Sequence, residues 1–172
     1  MDRRLLLMVL ALALLGCHKK NDKVAEAPVD IEKIKKENAK KATIAVGIYG
    51  TVIFQQGNCM PVAGPVTGPN PCKTYPVSRV VRAYEYTTIF QAVREPNTPY
   101  YKSFPTKLIK ETTADKDGFF QLELAPGDYS IVACENGQIC ITGGDGYGGI
   151  GPAKITTTRF ENNILINNKA YY

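Results

Sequence analysis

Histidine is nearly absent: the chain of 172 residues holds one, His18, and it has no tryptophan. Because His18 stands beside the N-terminal apolar run, a serine or cysteine elsewhere has no imidazole base to activate it. Hydrolysis through a Ser-His or Cys-His pair is therefore excluded from the rest of the chain. Metal chemistry is poorly supported for the same reason, since no CxxC occurs and no second histidine exists to join the cysteines. No metal and no cofactor is expected. Long apolar runs are lacking too: Leu5 to Leu15 falls well short of the about 20 residues of a spanning helix. Extended 3.6-residue periodicity is missing as well, which argues against a helical architecture.

What is present begins with a leader. Arg3 and Arg4 precede the Leu5 to Leu15 run, the arrangement of a charged n-region and a short h-region. It ends in Leu14-Leu15-Gly16-Cys17, which resembles the lipobox of bacterial lipoproteins. That resemblance implies a diacylglyceryl thioether on Cys17, cleavage after Gly16, and a mature chain anchored in the cell envelope, at the outer membrane, on a face the sequence leaves open. The thiol is the nucleophile that takes the lipid, and a small Gly16 lets the peptidase reach the backbone. Acyl chains contribute about 0.8 kcal/mol per buried CH₂, so a multiply acylated Cys17 is a lasting anchor.

Three segments are expected: the lipobox resemblance implies residues 1–16 as signal peptide and Cys17 as lipidated, and composition makes the rest of 17–43 a charged tether and 44–172 the folded domain. From His18 to Thr43 eight lysines stand against five acids with few large apolar residues, so this stretch reads as a solvated spacer in which Ile31 and Ile34 mark a short helical turn. Residues 44–172 hold eleven Lys or Arg against ten Asp or Glu. A nearly neutral domain argues against nucleic acid as a partner, while lysines beside an anchor suit anionic headgroups.

Setting Cys17 aside leaves Cys59, Cys72, Cys134 and Cys140, an even set for a disulfide-permissive compartment. Of the three connectivities, Cys59 with Cys72 and Cys134 with Cys140 are favoured, because each closes a short local loop. The second pair meets a conflict. Asn136-Gly137 invites a two-residue hairpin turn, and that register sets Cys134 opposite Ile139, with Cys140 on the other face. Either the bridge or the simple turn must yield.

The domain is strand-rich. IAVGIYGTVIF within Thr43 to Gln55, SRVVRAYEY from Ser78 to Tyr86, and TKLIKETT from Thr106 to Thr113 are dominated by β-branched and aromatic residues between turn residues. In FFQLELA, Phe120, Leu122 and Leu124 alternate with Gln121 and Glu123, as a strand with one wet face requires. Pro126-Gly127-Asp128 then turns into DYSIVA, with Tyr129, Ile131 and Ala133 on one side. Ala153 to Arg159 and Asn163 to Asn168 supply two more strands. The pattern predicts an all-β fold, an antiparallel Greek-key β-sandwich of about seven strands.

The span TADKDGFFQLELAPGDYSIVA, with Asp117-Gly118, Phe120, Pro126-Gly127 and Tyr129, resembles the carboxypeptidase regulatory-like domain, a transthyretin-like (prealbumin-like) sandwich. The opening GIYGTVIF and then VSRVVRAYEY resemble that family's first strands. The resemblance implies the fold and an accessory role, since the catalytic domain that gives the family its name is a separate neighbour.

Candidate sites are few. Asp115-Lys116-Asp117-Gly118 begins like a calcium loop, but strand alternation follows where further ligands belong, so a hairpin turn is expected. Gly144, Gly146 and Gly149 satisfy GxGxxG, yet the loop leads into AKITTTR rather than a helix, so no phosphate cradle forms. The connector Thr87 to Pro105 is long and carries Tyr100, Tyr101 and Phe104 beside Arg94 and Lys102. Together with Asp145 and Tyr147, these form a candidate ligand or partner surface, or else the rings cap the open end of the sandwich. The expectation is a lipid-anchored, non-catalytic interaction module of an envelope complex, with carbohydrate or small-ligand binding as the alternative. An exposed platform of those rings favours a glycan, and a contiguous apolar patch favours a protein.

Overall fold

The computed structural model describes residues 29–61, 63–64, 70–140 and 143–172, so the lipobox at Cys17 and the tether up to residue 28 lie outside the described residues. The described residues form one helix, α1 (Ile31–Lys40), and twelve strands. These are β1 (Gly47–Asn58), β2 (Cys72–Pro76), β3 (Val80–Glu85), β4 (Val93–Arg94), β5 (Tyr100–Ser103), β6 (Leu108–Thr113), β7 (Phe119–Glu123), β8 (Gly127–Glu135), β9 (Gln138–Cys140), β10 (Pro152–Ile155), β11 (Arg159–Glu161) and β12 (Ile164–Tyr171). They make two sheets facing one another, an all-β sandwich. The expected strands are present as β1, β3, β6, β7, β8, β10 and β12; the other five are short pieces in the loops and hairpins.

The first sheet is organised by β1, whose twelve residues serve two pairs of shorter strands. Its first half lies between β11 and β7, and its second half between β12 and β2. The pairings with β11 and β12 are parallel, the exception in a largely antiparallel fold. The second sheet runs β4-β5-β9-β8-β3-β6, with β10 also paired to β8.

The main core fills the space between the sheets. Ile48, Val52 and Phe54 of β1 meet Val81 and Ala83 of β3, Ile131 and Ala133 of β8, and Ile164 and Ile166 of β12. The alternation read in β7 holds: Phe120, Leu122 and Leu124 are 1%, 1% and 3% exposed. In β8 both faces are buried, because Val132 and Cys134 on the outer side join a second cluster with Tyr84, Tyr101, Phe104, Ile139 and Ile150. The connector after β3 and the loop after β9 thus form a further layer over the outside of the second sheet.

The outside of the first sheet is covered differently. Asp30 caps α1 by accepting from Lys33 N at 3.0 Å, and Ile31, Ile34 and Asn38 turn the helix toward the sheet. The buried Asn38 amide donates to Thr51 Oγ1 at 3.0 Å and to the Asp117 carbonyl at 2.8 Å. Lys41 then pairs with Asp115 at 3.0 Å and Asp117 at 3.4 Å. The segment expected as tether therefore contributes about its last half, from Asp30 to Thr43, to the folded body, which begins before Ile44.

Cys59 and Cys72 are bonded, closing the β1–β2 insertion with their Cα atoms 4.7 Å apart. The Cys134 to Cys140 bridge is corrected: both thiols are free and buried. The turn prevailed. Asn136 and Gly137 both take positive φ, 51° and 82°, and the register pairs Cys134 with Ile139. Cys134 therefore faces the outer cluster and Cys140 the inner core, on opposite sides of one sheet.

Candidate functional site

The connector is built as a turn, a short hairpin and an aromatic plug. Gln91 N and Ala92 N donate to the Thr88 carbonyl, each at 3.1 Å, which folds Ile89 and Phe90 into an outward turn. β4 and β5 then pair, and the hairpin lays Tyr101 against Ile139 of β9. Phe104 packs edge-on against Tyr84 and Tyr101, with ring centroids 5.0 and 5.8 Å apart. Tyr101 and Phe104 are only 3% and 9% exposed, so they plug the outer layer and form no platform. Arg94 lies over the Tyr101 ring at 5.9 Å, and Lys102 is exposed.

The loop after β9 completes that end of the sandwich. Asp145 Oδ1 accepts from Tyr147 N at 2.9 Å and Gly149 N at 2.8 Å, while Oδ2 accepts from the Tyr86 hydroxyl at 2.8 Å. These donors, Gly149 first and Tyr86 next, hold the Asp145 carboxyl below its ordinary pKa. A side chain at Gly149 would collide with the Tyr86 hydroxyl, which accounts for glycine there. The loop is laced to the connector by Ile89 N to the Gly148 carbonyl and Ile150 N to the Thr87 carbonyl, both at 2.9 Å. Asp145 is thus a fastener, and it leaves Tyr147 projecting at 88% exposure next to Gly148, over which the side chains of Phe90 and Ile89, 86% and 48% exposed, lie.

Tyr100 points the other way, toward the inner core. Its hydroxyl donates to Glu135 Oε2 at 2.9 Å, and the same carboxylate accepts from Asn168 Nδ2 at 3.1 Å and Arg79 Nη2 at 3.2 Å. Burial opposes the Glu135 charge, but the donors from Asn168, Tyr100 and Arg79 outweigh it, so its carboxyl lies below its usual value. Burial and the bond to this anion push the Tyr100 hydroxyl up to about 12. Burial, with Glu135 nearby, does the same to the Cys140 thiol, also to about 12. Such a thiol is a packing group at neutral pH. A cleft of about 490 Å³ opens beside this cluster, lined by Pro99, Tyr100, Cys140, Leu165, Asn167 and Asn168.

The Asp115–Gly118 stretch is the expected turn. Asp115 Oδ1 accepts from the backbone N–H groups of Asp117 and Phe119, each at 2.9 Å, and Lys41 occupies its other oxygen. Gly118 takes φ 77° under Val52, where a side chain would strike the backbone. Among the described residues no group of three or more His, Cys, Asp or Glu is placed to hold a metal ion.

The sequence reading therefore brought together one cluster that the fold divides in three: Tyr101 and Phe104 in the plug, Tyr100 in the polar cluster, and Arg94, Lys102, Asp145 and Tyr147 at the outer end. It passed over Ile89, Phe90 and Val93. Their signal lies in TTIFQAV, where apolar residues sit among polar ones without strand alternation. Glu135, Arg79 and Asn168 carry no local signal, because three separate strands or loops bring them together. No family model, no curated protein and no solved structure matches the chain.

Proposed function

We propose that the chain is a lipid-anchored, non-catalytic module of the cell envelope that works by contact within an envelope complex. The leader and lipobox-like Leu14-Leu15-Gly16-Cys17 support the anchor, and the resemblance of the central block to carboxypeptidase regulatory-like domains supports an accessory role. The observation that carries the reading is the assignment of the polar groups. Asp115, Glu135 and Asp145 are each held by several donors that fasten the scaffold, the pattern of structural rather than reactive carboxylates. What projects instead is apolar: the Ile89, Phe90 and Tyr147 end, and Met60 at 54% exposure in the stapled insertion. The test is cross-linking of tagged full-length protein in intact cells, followed by mass spectrometry with a Cys17→Ala control. Recovery of one envelope protein near stoichiometry, lost in the control, is expected. Recovery of none from a folded, anchored chain overturns the reading.

Carbohydrate or small-ligand binding keeps one observation in its favour. The cleft beside Tyr100 has two asparagine amides on its wall, and in the polar cluster next to it Arg79 Nε and Asn168 Oδ1 are buried without a partner among the described residues. A glycan array with the mature chain tests it, and the expected hit loses binding in Asn168→Ala.

A further inference from the structure

Of the asparagines in the chain, Asn136 alone precedes a glycine. Asn136 and Gly137 form the tip of the β8–β9 hairpin, both are exposed, and both hold positive φ, 51° and 82°. The tip carries free groups. Among the described residues neither the Asn136 carboxamide nor the Gly137 N–H makes a hydrogen bond, and a Cβ added at Gly137 would meet nothing within 4 Å. Nothing therefore stands between the Gly137 nitrogen and the side chain that precedes it.

The other asparagines lack this combination. Asn38, Asn163 and Asn168 spend their carboxamides on Thr51, Glu161 and Glu135. Asn70 precedes Pro71, whose ring nitrogen has no hydrogen to lose. Asn97 also takes positive φ, 57°, but Thr98 follows it, and a stiff β-branched side chain crowds the nitrogen that would have to attack.

We infer that Asn136 is a modification site, a point of spontaneous deamidation whose product loosens the hairpin that holds the connector. The Gly137 N–H gives its proton to water, and its nitrogen bonds to Asn136 Cγ to close a cyclic imide. The bond from Cγ to Nδ2 breaks, and ammonia leaves with one proton regained from water. Water then adds across one of the two imide C–N bonds. Opening at Cγ leaves aspartate, whereas opening at the main-chain carbonyl leaves isoaspartate, with Gly137 now joined through Cγ. Water is the only co-reactant.

Isoaspartate lengthens the main chain by one carbon at a tip whose register depends on a two-residue turn. That register pairs Glu135 with Gln138 and Cys134 with Ile139. β9 is only three residues long, and through Cys140 and Ile139 it also pairs with Tyr100 and Tyr101 of β5. A change at the tip thus reaches the plug that Phe104 forms with Tyr101 and Tyr84.

The test ages the purified full chain in neutral buffer and follows isoaspartate by labelling with an isoaspartyl methyltransferase and by mass spectrometry of its peptides. Isoaspartate is expected at position 136 ahead of every other asparagine. The aged fraction should exchange amide hydrogens faster in β9 and β5, while β7, in the other sheet, stays as before. Asn136→Gly keeps a residue suited to positive φ and has no carboxamide to lose, so it should keep the parent melting curve and lose both signals. Isoaspartate that is absent from position 136 after ageing, or no earlier there than at Asn97 or Asn162, overturns the inference. So does a modified chain whose β9 exchanges like the fresh one. Neither the label nor the exchange depends on Cys17 or on a partner, so this result and the reading of function fail separately.

Discussion

Two loops interrupt the strand pattern, and they are fixed by opposite means. The β1–β2 insertion is closed by Cys59–Cys72, and its described flank is open, with Met60 more than half exposed. The connector between β3 and β6 has no covalent tie; Tyr101 and Phe104 bury it against Tyr84, Ile139 and Ile150. A disulfide acts chiefly by restricting the unfolded chain and says little about what the loop touches. Burial acts in the folded state and makes the loop part of the architecture. The insertion is thus an attachment that tolerates change, whereas the connector is a layer of the fold with only its tip free.

The largest effect that would break this contrast is on the plug. Phe104→Ala should cost about 4 kcal/mol, through lost transfer energy and a cavity between Tyr84 and Tyr101. In denaturant melts with hydrogen exchange, protection should fall in β4, β5 and β9. A loss under about 1 kcal/mol would mean that the rings are not what holds the connector. The staple comes next. Cys59→Ser with Cys72→Ser should cost about 3 kcal/mol in the chain-entropy account of a loop of this length. Exchange should quicken around the ends of β1 and β2 and leave the connector untouched. A spread of that quickening to Tyr101 would show that the two loops are coupled.

Glu135 lies where the connector meets the core, and its removal should be milder, about 2 kcal/mol at neutral pH for lost charge-assisted bonds. Its signature is in the pH profile. Because its folded carboxyl lies below the usual value, it binds fewer protons folded than unfolded in acid. The stability it contributes is therefore complete above its unfolded pKa and is lost as pH falls through the folded one. Glu135→Gln should flatten that acid loss, measured as melting temperature between neutral pH and the carboxylate range. An unchanged slope would mean that Arg79, Tyr100 and Asn168 do not act on it in solution.

The sandwich was legible because its signals are local. Phe120, Leu122 and Leu124 announce a face two residues apart, and Pro126-Gly127 announces the turn after it. The same reading placed Tyr129, Ile131 and Ala133 on one side of β8 and said nothing of Val132 and Cys134, because nothing near them in sequence says that a connector some thirty residues earlier folds over them. The cysteines show a local signal overriding a compositional one: parity favours a Cys134 to Cys140 bridge, but Asn136-Gly137 sets the register and separates the thiols. At the candidate site, aromatic residues in a long loop pointed to the right segment and the wrong atoms. Large rings in a loop are as well suited to burial as to recognition, and only the pairing of Tyr101 with Ile139 decides between them.

The smallest predicted effect sharpens the contrast inside the connector itself. Phe104 and Phe90 stand fourteen residues apart in one loop, 9% and 86% exposed. Phe90→Ser should change stability by no more than about 0.5 kcal/mol, as a surface substitution with no packed partner does. Tyr147→Ser should behave likewise, since Asp145 is held by the Tyr147 backbone and not by its ring. Paired melts of the Phe90, Tyr147 and Phe104 variants make the check. A Phe90 variant as unstable as the Phe104 one would place the tip in the plug, and its exposure would no longer need a partner to explain it. A Phe90 variant as stable as the parent leaves a ring that contributes nothing to folding, held outward on a turn braced by three backbone bonds. In that case the chain sustains an exposed apolar tip that its fold does not require, and contact with something outside the body is the remaining physical reason for it.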